Sequence, residues 1–135
     1  MAAIYFSAYA TGPSIYMTPP DTALPPRVVP VAGGVAVPPG TRRDFPFVLP
    51  GRLCRVTGRL GTAGAGSFSA LLLRDTTFTR FQAGQAVSPE WDAAKDTAPK
   101  FDLLIMGPGT YHLFIDHEGR PGGPPVTVEA QARCR

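Results

Sequence analysis

The chain has 135 residues, 44% of them hydrophobic, with 15 Gly, 16 Pro and a formal net charge of +3. That length supports one domain around one core, and the apolar content argues against a disordered chain despite the many turn-forming residues. Eleven Arg and two Lys are spread along the chain with no run longer than Arg42-Arg43, whereas a nucleic-acid footprint would cluster them, so no nucleic-acid partner is expected.

The first 20 residues, MAAIYFSAYATGPSIYMTPP, contain no charged side chain. They lack the basic start of a signal peptide, so no intact signal peptide is visible, and Gly12-Pro13 interrupts them after too few apolar residues to span a bilayer. Three readings stay open. The segment is an extended arm that lays Tyr5, Phe6, Tyr9, Tyr16 and Met17 on a partner or on the domain itself, a segment at a membrane interface, where Tyr and Phe are suited, or the remnant of a processed or misassigned start. Ten of the 16 prolines fall in the first 50 residues, a composition that favours extended or polyproline backbone over helix. We therefore expect an extended arm over residues 1–34 and a folded domain over 35–135. Within the arm, Val28 to Ala32 can form an edge strand, where Pro30 is tolerated.

Regular strands follow. RRDFPFVL, Arg42 to Leu49, puts Phe45, Phe47 and Leu49 on one face, and Pro46 marks an edge or a bulge. RLCRVTGRL, Arg52 to Leu60, turns Cys54, Val56 and Leu60 inward and Arg55, Thr57 and Arg59 to solvent. After the flexible turn GTAGAG, SFSALLLRD returns as a strand whose Leu71 to Leu73 run reads as buried on both faces. Residues 76–99 form the one long segment without a clear period, with no convincing helix beyond a turn at Pro89 to Ala94. Such a loop is usually functional, and Phe78, Arg80, Phe81 and Trp91 make it the best candidate ligand or partner surface. The bland alternative is that its aromatic residues cap one end of the core.

FDLLIMGPGTYHLFIDH, Phe101 to His117, is the clearest pattern in the chain. Two apolar runs around Gly-Pro-Gly read as adjacent antiparallel strands of a hairpin. Leu104, Met106 and Phe114 make the second faces partly apolar, which predicts central strands touching protein on both sides. The last strand, PVTVEAQARC, alternates Val126, Val128, Ala130, Ala132 and Cys134 against polar residues. Cys54 and Cys134 both have inward parity, so they either meet as a disulfide, closing a long loop and adding roughly 4 kcal/mol on a chain-entropy model, or remain two buried thiols. About seven or eight short strands with turns between them describe an all-β, jelly-roll-like antiparallel sandwich.

The order CRVTGRL, glycine-rich turn, ALLLRDTTFTRFQAGQ, loop, FDLLIMGPGTYHLFIDH and final VTVEAQA resembles small jelly-roll sandwiches of bacterial extracytoplasmic proteins, akin to the Golgi-dynamics (GOLD) and pre-peptidase C-terminal types. The resemblance covers roughly Val35 to Cys134, and its most specific parts are Phe78 to Gln85 and Pro108 to Tyr111. Members carry an Asn-rich end after the YHLFI-type strand, where this chain has Asp116-His117-Glu118 and no Asn at all, so no loop ligand is carried over. The resemblance implies a non-catalytic accessory or interaction module in the periplasm or at the cell surface, without cofactor or catalytic residue.

The residues themselves point the same way. At most two of Asp116, His117 and Glu118 can converge, because neighbours on a strand point to opposite faces. No Cys or His spacing suits a metal, Ser67 and Ser69 lack a hydrolase elbow, and GTAGAGS is followed by no phosphate-binding Lys or helix. The expectation is a structural or interaction subunit, not an enzyme, that docks through its arm on protein partners in a larger extracytoplasmic or membrane-associated assembly, with peripheral membrane contact open to residues 1–20. Two alternatives stand beside it: a carbohydrate-binding module using Trp91, Phe78 and Phe81, and a self-assembling filament or viral coat component.

Overall fold

A computed structural model describes residues 27–61, 67–93 and 99–135. The residues proposed as the arm's grip, Tyr5, Phe6, Tyr9, Tyr16 and Met17, lie outside the described residues. Among the described residues eight strands and one helix follow in chain order: β1 (Arg27–Val37), β2 (Thr41–Leu49), β3 (Leu53–Gly61), β4 (Phe68–Arg74), α1 (Asp75–Gln82), β5 (Trp91–Asp92), β6 (Lys100–Met106), β7 (Gly109–His117) and β8 (Val126–Cys134). They form two four-stranded antiparallel sheets in the orders β1-β8-β3-β6 (sheet I) and β2-β7-β4-β5 (sheet II). The chain is an all-β sandwich. The pairs β1–β8, β2–β7, β3–β6 and β4–β5 are nested, first strand with last and inward to the middle. This is the plan of one long hairpin rolled up into a jelly roll, with α1 at its tip between β4 and β5.

Period-two alternation builds the core. In β8 every second residue from Val126 to Cys134 is buried, and β2 and β3 alternate likewise through Phe45, Phe47 and Leu49 and through Cys54, Val56 and Leu60. One inner row of sheet I, Ala32–Ala130–Gly58–Phe101, holds three small residues beside one large ring. Phe101 fills the space they leave: a Cβ on Gly58 would lie on its ring edge, and Trp91 of sheet II packs on it at 4.6 Å between centroids. Pro30 and Pro46 both sit on edge strands, β1 and β2, where a missing N–H costs least.

Three expectations are corrected. The runs around Gly107-Pro108-Gly109 are not a hairpin: β6 pairs with β3 in sheet I, and β7 lies between β2 and β4 in sheet II, so the turn carries the chain from one sheet to the other. The turn chemistry marks a sharp reversal but says nothing about the partner strand. Hence only β7 is central, while β6 is a sheet edge whose Leu104 and Met106 are each 71% exposed. Second, DTTFTRFQ is helical although its Thr and Phe favour strand. Packing of Phe78 overrides that preference, and Trp91–Asp92 is a short strand instead of a helical turn. Third, the expected edge strand at Val28–Ala32 runs on to Val37 and pairs with β8 along its length, so residues 27–34 belong to the sandwich and not to an arm.

Candidate functional site

The segment after β4 folds back over the outer face of sheet II. Leu72 faces the inner core in register with Leu113, so its neighbour Leu73 turns outward beside His112, and both Leu73 and His112 are covered. The cover is α1: the Phe78 ring lies 4.1 Å from the His112 ring and nearly parallel to it, and Phe81 meets Phe114 edge-on at 5.3 Å. His112 also ties three elements together. Its Nδ1 is 3.0 Å from both carboxylate oxygens of Asp44 on β2, and its Nε2 is 2.7 Å from Oδ1 of Asp75, the first residue of α1. Both ring nitrogens are thus engaged by carboxylates, one on β2 and one on α1. In this arrangement His112 is a cross-link.

The aromatic residues of the loop are divided between two faces. Trp91 stands beside Leu72 in register and packs inward on Phe101, whereas Phe78 and Phe81 lie with α1 on the outside of the same sheet. Arg80 is exposed on α1. Phe78, Phe81 and Trp91 therefore share no common platform for a sugar ring. Sequence reasoning missed His112 as the partner of Phe78, since its contacts at Asp44 and Asp75 are 68 and 37 residues away along the chain.

At the opposite end of β7, His117 is fully buried. Its Nδ1 accepts the Gly119 N–H at 3.0 Å, so the proton sits on Nε2 and is donated to the Pro124 carbonyl at 3.0 Å. Asp116 turns to Arg42 at 3.4 Å, and Glu118 is exposed. These three adjacent residues thus point apart. Cys54 and Cys134 face one another across β3 and β8 and form a disulfide. Among the described residues no group of three His, Cys, Asp or Glu is placed to hold a metal, and no helix is long and apolar enough to cross a membrane.

The outer face of sheet I presents an ordered grid. Reading across the strands from β6 through β3 and β8 to β1, one row is Leu104, Arg55, Arg133 and Val28, and the next is Asp102, Thr57, Gln131 and Pro30. The row after that is Lys100, Arg59, Glu129 and Gly33. An open groove of about 780 Å³ crosses all four strands over the last two rows. Its charges are largely paired: Arg55 grips Asp102 through two bonds of 2.6 and 2.7 Å, and Arg59 meets Glu129 at 2.8 Å. The Arg55 guanidinium holds the Asp102 carboxyl below its ordinary range, chiefly by hydrogen bonding.

No protein-family model matches the chain, and a search of curated proteins likewise gives no match.

Proposed function

We propose that this protein is a non-catalytic structural or interaction subunit. Its jelly roll holds the segment before Arg27 out to a protein partner within a larger extracytoplasmic or membrane-associated assembly. One observation carries the reading. Strand β1 begins at Arg27 directly opposite Cys134, and Cys134 is bridged to Cys54, so the root of that segment is anchored at the stapled end of a sandwich whose strands are paired from there onward. The disulfide also suits an oxidising compartment, as the resemblance to extracytoplasmic jelly rolls implies. Deleting residues 2–20 is expected to leave circular dichroism and thermal unfolding of the sandwich unchanged while abolishing co-purification with the native partner. A truncated chain that still assembles overturns the reading.

The nested strand order favours a second reading, self-assembly into a coat or filament, because jelly rolls serve as viral capsid as well as lectin domains. This is fold-level analogy. Light scattering of the purified full chain separates the two: large particles formed without any partner support self-assembly, and a monodisperse small species supports docking.

A further inference from the structure

We infer that the β3–β6 end of the outer face of sheet I binds the surface of an anionic phospholipid bilayer, independently of residues 1–26. Among the described residues five large apolar side chains stand out as exposed, and four of them, Val28, Leu53, Leu104 and Met106, lie on this one face. Met106 and Leu53 are in register, and Arg135 follows beside them through its backbone bond to the Leu53 carbonyl; the adjoining row is Leu104, Arg55, Arg133 and Val28. These two rows hold three Arg side chains and no acidic one. Arg55 is engaged by Asp102 in the row behind, while Arg133 and Arg135 are exposed, with no ion pair to either among the described residues. The sheet edge thus places aliphatic groups and cations side by side on one surface.

An anionic bilayer satisfies both halves of that surface at once. Aliphatic side chains enter the boundary between headgroups and acyl chains, and the guanidinium groups meet phosphate and carboxylate headgroups. A nucleic acid would use the cations but leave Leu104 and Met106 against sugar and phosphate, and no aromatic residue stands in these rows to stack on a base. A second copy stacked symmetrically on the same face would bring Arg133 and Arg135 toward their own counterparts. Strand β1 enters the sandwich at this same end, with Arg27 opposite Cys134.

The test is sedimentation of the full chain with vesicles of phosphatidylcholine alone and with vesicles in which about one third is phosphatidylserine. The chain is expected to sediment with the anionic vesicles only, and less as salt rises. The double variants Arg133→Glu/Arg135→Glu and Leu104→Asp/Met106→Asp should each lower binding by roughly tenfold or more, while Val48→Asp, an exposed position on sheet II, should leave it unchanged. Thermal unfolding checks that each variant is folded; for any that is not, the single changes Arg133→Gln and Leu104→Gln take its place, with a smaller loss expected. Three results would each overturn the inference: no sedimentation with anionic vesicles, equal sedimentation with neutral ones, or face variants that bind like the parent chain. Retention on immobilised polyglutamate without vesicle binding would also overturn it, in favour of an acidic polypeptide.

Discussion

Gly58 shows how one missing side chain shapes the core. Its inward position is occupied by the Phe101 ring, and an added Cβ would also lie 2.9 Å from the Ala130 methyl. Gly58→Val should therefore destabilise the fold by about 1–3 kcal/mol through overpacking, measured by chemical denaturation. Gly61→Ala, three residues along the same strand, meets nothing closer than 3.6 Å and should be close to neutral. Equal effects at the two sites would refute this account of the Phe101 and Trp91 packing. Tyr111 illustrates a different residue-scale effect. It is 1% exposed, and burial pushes its phenol above the ordinary range despite the guanidinium of Arg74 lying over the ring at 5.6 Å. Because the folded value is raised, the contribution is fully present below the unfolded value of about 10 and is lost as pH climbs through the folded one. Unfolding followed between neutral and strongly alkaline pH should show stability falling from roughly pH 10 upward, and Tyr111→Phe should flatten that fall.

At the scale of elements, α1 is held on sheet II by few contacts, and His112 is central to them. Removing it deprives Asp44 and Asp75 of their shared partner and Phe78 of the ring it stacks on. His112→Leu is expected to cost on the order of 1–2 kcal/mol. It should also speed amide hydrogen exchange in Asp75–Gln82 well ahead of the strands. Uniform acceleration across the whole sandwich would instead make His112 a part of the main core. The helix is not legible in DTTFTRFQ, because its composition favours strand and the stabilising partners come from β2 and β7, distant in sequence. The edge strand at Pro30 and the exposed faces of β2 and β3 are legible, since proline chemistry and strict alternation act locally.

Over the whole molecule, the rolled hairpin sets β8 between β1 and β3, and a disulfide between residues 80 apart ties β8 to β3. Replacing Cys54 and Cys134 by Ala, or reducing the bridge, is expected to lower stability by about 4 kcal/mol, read as a drop in Tm with an unchanged strand spectrum. A change below about 1 kcal/mol would mean that the β3–β8 pairing alone constrains that end. Inward parity is enough to direct both cysteines into the core, but their meeting depends on β3 and β8 becoming neighbours. The same distinction holds elsewhere. By itself, the sequence determined the class of the fold, most strand positions and the inward face of each strand, because alternation and turn residues act over a few positions. Only the tertiary structure decided that β6 and β7 part company across the sandwich. It alone gathered singly spaced arginines and apolar side chains onto one end of sheet I, because strand pairing is settled by which surfaces can be buried together over the whole chain.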